Sequence, residues 1–219
     1  INDWKIRVSW GMTGEQSGVG YYTAQRYMGA EAPYYGQAGI ILESPGNRDL
    51  SWEKAEQINV GTDAVLFNDR LNISIDYYIK NTHGLLFEKP MPATYGYKTK
   101  LVNIGKMRNS GLELSLKSVN IKQRNFEWTS NLTFTTINNK VKKLMEGNTP
   151  VYVGNYHILE INKPVGSFYL YKQEGIYQSD KEVPENLYKN GVRAGDMKYA
   201  LDENGNPKRM ITGKAMPDW

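Results

Sequence analysis

Cysteine is absent from the 219-residue chain, which excludes thiol catalysis, disulfide bonds and cysteine-ligated zinc. Histidine is scarce, because only His83 and His157 are present and they lack the paired spacing of a metal site. Both are predicted to be exposed loop residues rather than ligands or bases. Long apolar runs are missing as well, because the longest, such as residues 39–42, contain only a few residues. No transmembrane helix is therefore predicted.

The chain also lacks a marked excess of one charge. Its 27 lysine and arginine residues are interspersed with 23 aspartate and glutamate residues, so no nucleic-acid partner is predicted. The sequence contains neither a nucleophile elbow nor a glycine-rich phosphate loop before a helix. Asp63 and Asp76 could form a glycosidase-like pair, but carboxylates lining a wet interior are the simpler interpretation. We therefore predict no enzyme activity, no catalytic residue, no cofactor and no bound metal.

Tyrosine and tryptophan are abundant, with 16 and 5 copies against 5 phenylalanines. Such rings suit places where one end is apolar and the other wet. The clearest pattern lies in residues 71–80, whose odd positions are apolar and whose even positions are polar apart from the amphipathic Tyr78. Side chains of a strand alternate between two faces, whereas on a helix these apolar residues would scatter. The segment is therefore predicted to be a strand, long enough to cross a bilayer when tilted.

The same alternation recurs in residues 4–10, 58–66, 110–119 and 126–135. Residues 67–70 and 120–125 form short connections between these segments, whereas residues 11–49 and 81–106 form long ones. Outer-membrane barrels have short periplasmic turns and long extracellular loops. The predicted fold is all-β, with antiparallel up-and-down strands that form part of a large outer-membrane β-barrel with long extracellular loops.

A soluble β-sandwich produces the same alternation of faces, so a soluble glycan-binding module is the alternative. The two differ in what covers the apolar face: lipid in a barrel, a second sheet of the same chain in a sandwich.

Beyond the five strands, residues 166–177 are predicted to be extended and residues 178–219 to be loop. No helix is predicted anywhere in the chain.

Two sets of residues are candidates for function. On the polar faces of the predicted strands, the residues expected to line the lumen are Asn59, Asp63, Asn72, Asp76, Glu113 and Lys117. In the two long connections, the aromatic residues expected to contact a substrate or a partner are Tyr21, Tyr22, Tyr34, Tyr35, Tyr95 and Tyr97. Aromatic faces stack on sugar rings or peptide side chains while the hydroxyl finds a hydrogen-bond partner.

Several motifs occur in a specific order along the chain. They are Leu50-Ser51-Trp52-Glu53-Lys54 followed by Gln57, Asn59, Gly61 and Asp63; then Asn103-Ile104-Gly105-Lys106-Met107-Arg108-Asn109; then Gly195-Asp196-Met197-Lys198-Tyr199. Together they resemble the SusC/RagA family of TonB-dependent outer-membrane transporters, and the resemblance covers nearly the whole chain.

This resemblance implies a location in the bacterial outer membrane, contact with outer-membrane lipid, and an importer of oligosaccharides or peptides. It also implies two partners, a SusD-like surface lipoprotein that closes over the barrel and TonB, which acts through an N-terminal part. Residues 1–219 are accordingly expected to be a partial barrel, with the plug domain and the final strands absent and an end at residues 216–219.

One segment departs from the family pattern. The family often carries an Asp-rich, calcium-like loop after the motif at residues 195–199, whereas this chain reads Asp202-Glu203-Asn204-Gly205-Asn206-Pro207. Asn206 stands where an Asp is usual, and calcium favours several carboxylate oxygens. A turn without a metal ion is therefore predicted at residues 202–207.

Overall fold

The computed structural model describes residues 1–144 and 146–215, without the side chains of residues 31–34, 38, 90 and 146. The chain divides into two units, Ile1–Gly147 and Asn148–Trp219, and each is described by itself. Residues 216–219, where the predicted segment ends, lie outside the described residues.

The first unit consists of antiparallel strands. In chain order they are β1 (Asp3–Glu15), β2 (Tyr27–Tyr34), β3 (Gln37–Ser44), β4 (Glu53–Leu66), β5 (Leu71–His83), β6 (Leu86–Pro90), β7 (Thr99–Asn103), β8 (Lys106–Gln123) and β9 (Phe126–Lys143). One five-stranded sheet has the order β1-β4-β5-β8-β9, while β2–β3 and β6–β7 form separate hairpins. The five strands of the sheet follow one another in chain order, which confirms the predicted up-and-down arrangement.

The two short connections of the sheet are confirmed, and both lie at the same end of it. Residues 67–70 join β4 to β5, and residues 124–125 join β8 to β9. In the first of these turns Phe67, Asn68 and Asp69 all have left-handed backbone conformations, with φ of 57°, 52° and 66°. Asn and Asp tolerate this region because their short polar side chains bond locally.

The two long connections are not plain loops, because each contains a hairpin that the sequence analysis missed. The β2–β3 pairing is irregular between Tyr27 and Met28 and again between Gly29 and Ala32, so a strict alternation of apolar and polar residues is lost there. Strands β6 and β7 have five residues each, which is too short for periodicity to stand out from a proline- and glycine-containing segment.

Strands β8 and β9 are longer than predicted, with 18 residues each. An irregularity between Val119 and Ile121 shifts the alternation of β8 by one residue, which explains why the pattern ended there in the sequence. A transmembrane strand needs about 9–11 residues. Both strands therefore extend beyond the thickness of a bilayer's hydrocarbon core.

One face of the sheet is apolar and open. Val8 of β1 is 71% exposed and Leu132 of β9 is 56% exposed, although both are large apolar residues in the sheet. Among the described residues of the first unit, no second sheet packs on this face. The sandwich alternative required such a sheet, so it is wrong for this unit. The apolar surface is instead available to a surrounding apolar medium.

The second unit has short elements. They are β10 (Val151–Val153), β11 (His157–Leu159), β12 (Ser167–Tyr171), β13 (Gln173–Ile176), α1 (Glu185–Lys189), β14 (Met197–Tyr199) and β15 (Arg209–Lys214). A sheet of order β10-β11-β12-β15 accompanies the β13–β14 pair, and Tyr177, Val183 and Leu187 form a small core.

The extended prediction for residues 166–177 is confirmed by β12 and β13, but two other predictions for the second unit are wrong. Residues 178–219 are not all loop, and a helix exists at α1. That helix has only five residues, about one and a half turns, so it leaves no helical period in the sequence. Across the described parts of the chain, no helix has the length and apolar character needed to span a membrane.

Candidate functional site

The six polar residues predicted to line the lumen all lie on one face of the five-stranded sheet. Their cross-strand partners show this: Asn59 lies opposite Tyr78, Asp63 opposite Ser74, Asn72 opposite Lys117, and Asp76 opposite Glu113. The intervening residues, such as Val60 and Tyr77, belong to the apolar face. The common face is a structural observation, and its assignment to a lumen stays a prediction.

Arg7 is the centre of a polar network on this face. Its Nε donates to Asp63 Oδ2 at 2.7 Å, and its Nη2 donates to Asp76 Oδ2 at 3.0 Å. Ser74 adds a hydrogen bond from its hydroxyl to Asp63 Oδ1 at 2.7 Å. One guanidinium thus bridges three strands, β1, β4 and β5. The fork of N–H donors of arginine suits such a bidentate arrangement.

The network also explains how the sheet accommodates Asp76 directly opposite Glu113. Like charges in that position repel each other, and the guanidinium of Arg7 offsets the charge of Asp76 through an ion pair of 3.0 Å. Arg7 and Ser74 were not among the residues predicted to line the lumen. The available signal was the position of Arg7 on the polar side of β1, but its partners could be named only once the strand register was known.

Gly61 makes this network possible. It lies between Arg7 on β1 and Asp76 on β5 in the same cross-strand row. A Cβ at this position would overlap the carboxylate of Asp76 and approach Arg7 Nη2 to 3.1 Å. The missing side chain therefore gives the guanidinium its path across β4.

We expect Gly61→Ala to displace the Asp76 carboxylate and to destabilise the sheet by about 1 kcal/mol. This is the low end for overpacking, because the end of a side chain can move aside. Gly11→Ala is the matched control, since Gly11 shares the face and a Cβ there meets nothing within 4 Å. Denaturant unfolding of both variants of the full-length protein measures the difference. Equal stability of the two variants would contradict this role of Gly61.

Tyr78, the exception in the alternating pattern of β5, faces the polar side and covers a glycine. A Cβ added to its partner Gly111 would lie 2.7 Å from Tyr78 Cε1 and 2.8 Å from its hydroxyl oxygen. The ring, together with the backbone carbonyl of Thr136, thus occupies the space that a side chain at Gly111 would need. An aromatic ring over a strand glycine replaces packing that the glycine lacks.

The two long connections are tied together by what we call the loop clamp, Asn103 with Ser51 and Gly84. Asn103 Oδ1 accepts the backbone N–H of Ser51 at 2.7 Å, and its Nδ2 donates to the carbonyls of Ser51 and Gly84 at 2.6 and 2.9 Å. Close by, Asn47 Nδ2 donates to the carbonyl of Leu101 at 3.0 Å. The side chain of Asn103 from the second connection and that of Asn47 from the first therefore join the base of the first connection to the second.

Among the side chains that the structure describes, the predicted loop aromatics form one pair in a cleft, one pair of neighbouring rings and one single exposed residue. Tyr21 and Tyr22 line a cleft together, and Tyr95 lies beside Tyr97 with ring centroids 6.0 Å apart. Tyr35 lies in the β2–β3 turn and is 96% exposed. The side chain of Tyr34 lies outside the described part of the structure. Their role in binding stays a prediction.

The placement of both histidines differs from the prediction. His83 is the last residue of β5 and His157 the first of β11, and both are half-buried rather than exposed. The ring of His157 lies 5.1 Å from that of Phe168, so sheet pairing with β12 covers it.

Across the described residues, no group of three or more acidic or histidine side chains is arranged to hold a metal ion. The Asp202 carboxylate accepts backbone N–H groups of Asn204 and Asn206 at 2.9 Å.

The second unit carries an aromatic group that the sequence analysis did not single out. The rings of Tyr152 and Tyr169 lie 5.3 Å apart, and the hydrogen bond with Tyr152 raises the pKa of Tyr169 above its ordinary value. Arg209 places its guanidinium 5.2 Å from the ring centre of Tyr171, a cation–π distance. This group stabilises the packing of β10, β12 and β15.

Comparison with known proteins agrees with this two-faced sheet. Residues 1–205 match the family described as TonB dependent receptor-like, beta-barrel. The chain is 33% identical over its whole length to TonB-dependent receptor P3 of Formosa agariphila. It is 28% identical, over 94% of its length, to TonB-dependent receptor SusC of Bacteroides thetaiotaomicron. It covers 23% and 21% of those two proteins.

Solved structures give the same result. The RagAB peptide importer in its open-open state matches 98% of this chain with a TM-score of 0.76 and 28% identity, and the chain covers 22% of that protein. Its closed-closed state matches with a TM-score of 0.74. The family consists of outer-membrane transporters rather than enzymes. This chain, which spans less than a quarter of the length of these relatives, belongs to the TonB-dependent receptor-like β-barrel family.

Proposed function

We propose that the five-stranded sheet is part of the barrel wall of an outer-membrane importer for oligosaccharides or peptides. The apolar face, with Val8 and Val60, meets lipid, and the polar face, with the Arg7 network, lines the lumen against a plug domain. Residues 1–219 are then a partial barrel, and the plug domain and the final strands belong to other parts of the protein. The single observation that carries this proposal is the sheet with one exposed apolar face and one polar, ion-paired face.

The long connections are proposed to face the outside of the cell and to contact a SusD-like surface lipoprotein. The β2–β3 hairpin supports this, because Met28 and Ile40 on one of its faces and Ile41 on the other are all at least half exposed. A hairpin with large exposed apolar side chains offers surface for a partner. The RagAB peptide importer matches 98% of the length of this chain, which supports a comparable arrangement of two proteins. TonB would act through the N-terminal part of the protein.

Spin labels at adjacent residues test the orientation of the wall. We expect a label at Val8→Cys in the full-length protein to be relaxed mainly by oxygen, which dissolves in the bilayer. A label at Ser9→Cys is expected to be relaxed mainly by a water-soluble nickel complex. The two residues occupy opposite faces of β1, and this chain has no cysteine of its own. Water-like relaxation at both positions would refute the proposed wall.

A further inference from the structure

Two clefts of opposite charge lie side by side in the first unit. One, here the acidic cleft, has a volume of about 440 Å³ and is lined by Glu43 and Glu88 together with Tyr21, Tyr22 and Tyr27. The other, here the basic cleft, has a volume of about 750 Å³ and is lined by Arg26, Arg48 and Lys100, with Asp49 as its single carboxylate. Pro45 and Gly46 line both clefts and so separate them.

The partition between the clefts is held firmly. Gly46 has a φ of +64°, and a Cβ there would lie 2.6–2.7 Å from backbone atoms of Ala24, Gln25 and Arg26. The backbone N–H of Asn47 donates to the carbonyl of Ala24 at 3.1 Å, and the N–H of Gly46 donates to Ser44 Oγ at 3.2 Å. Residues 44–47 are thus packed onto residues 24–26.

Each cleft also combines both long connections. Glu88 and Lys100 come from the β6–β7 hairpin, whereas Glu43 and Arg26 come from the first connection. The hydrogen bond of 3.0 Å from Asn47 to the carbonyl of Leu101 joins the two connections at this place. A defined contact therefore joins the two connections beside the clefts.

The charged groups of the clefts are available to a ligand. Among the described residues, Glu43, Glu88, Arg26, Arg48 and Lys100 form no ion pair. Two carboxylates beside tyrosine rings attract an ammonium or guanidinium group by charge and by cation–π attraction. Arginine and lysine side chains bind a carboxylate, arginine in a bidentate manner.

We propose that the paired clefts bind a short peptide, with its amino terminus or a basic side chain in the acidic cleft and its carboxylate in the basic cleft. A neutral oligosaccharide has no charges to match either cleft, and an acidic one matches only the basic cleft. The inference rests on the proposed importer function, because it places this site in the outward-facing connections. The inference adds the class of ligand, a short peptide, and the residues that distinguish a peptide from an oligosaccharide.

The test is a binding cycle on the purified full-length protein in detergent. The probes are short alanine-rich peptides of graded length, with a dye on a central residue and with free ends, an acetylated amino end or an amidated carboxyl end. We expect each blocking group to weaken binding to the wild type by about tenfold, which corresponds to one lost charged contact. Unlabelled neutral and uronate-containing oligosaccharides are used as competitors.

The variants make the cycle specific for each cleft. In Glu43→Gln/Glu88→Gln we expect acetylation to lose its effect while amidation keeps it, and in Arg26→Gln/Arg48→Gln the reverse. Lys181→Gln/Glu203→Gln, at exposed positions of the second unit, is the matched control and is expected to behave as the wild type. Equal effects of blocking in all variants, or displacement by oligosaccharides in place of peptides, would overturn the proposal. The spin-label experiment reports separately on the barrel wall, so failure of one idea is distinguishable from failure of the other.

Discussion

Val60→Arg is expected to destabilise the membrane-embedded full-length protein by about 2–4 kcal/mol, the cost of a cation on the lipid side of a barrel near the bilayer centre. Val60 lies near the middle of β4, between Val8 and Tyr77 on the apolar face. Its side chain is 46% exposed, so the cost arises from the medium around the face and not from overpacking. Equilibrium denaturant unfolding in lipid vesicles measures the change.

Asn59→Arg provides the matched control for Val60→Arg. Asn59 is the preceding residue of β4 on the polar face, where its side chain bonds to Gln57 and Ser9 at 2.9 and 3.2 Å. Losing these bonds costs about 1 kcal/mol, while the new cation points to the polar side. The same loss of stability in both variants would show that the faces do not meet different media.

Asn103→Ala is expected to open the base of the first long connection. The variant leaves the N–H and carbonyl of Ser51 and the carbonyl of Gly84 without their side-chain partner. The two bonds to Ser51 are exposed and the bond to Gly84 is partly buried, and each lost hydrogen bond costs about 0.5–1.5 kcal/mol. Amide hydrogen exchange at Ser51 is therefore expected to accelerate by about tenfold or more, because exchange reports local opening directly.

Asn120→Ala serves as the comparison for Asn103→Ala. Asn120 also makes side-chain hydrogen bonds, to Ser118 at 2.9 Å and to Ser130 at 2.6 Å, but it lies near the β8–β9 turn, at the other end of the sheet. Its removal is expected to leave exchange at Ser51 unchanged. If Asn103→Ala left that exchange rate at the wild-type value, the loop clamp would have no role in holding the two connections.

Much of the sheet could be predicted from the sequence because strand alternation is local. Ile73 and Ile75 share a face with no knowledge of the rest of the fold, and the polar residues Asn72 and Asp76 must share the other. The hairpins β2–β3 and β6–β7 could not be predicted in this way. The first is irregular in register, and the second is formed by strands of five residues.

Helix α1 and strand β14 escaped prediction for a related reason. They have five and three residues, and such short elements show no period of their own. They are stabilised by packing around Tyr177 and by pairing with β13. Tertiary contacts thus decide the structure where local preference is weak.

Alternation and turn chemistry act between near neighbours, so the two-faced strands, the turns and the long connections can be predicted from the order of the residues alone. The contact of Arg7 with Asp76, 69 residues away across Gly61, exists only in the folded sheet. The same is true of the contact of Asn103 with Ser51, 52 residues away. These meetings depend on strand register and loop docking, and register results from the pairing of whole strands rather than from any single residue.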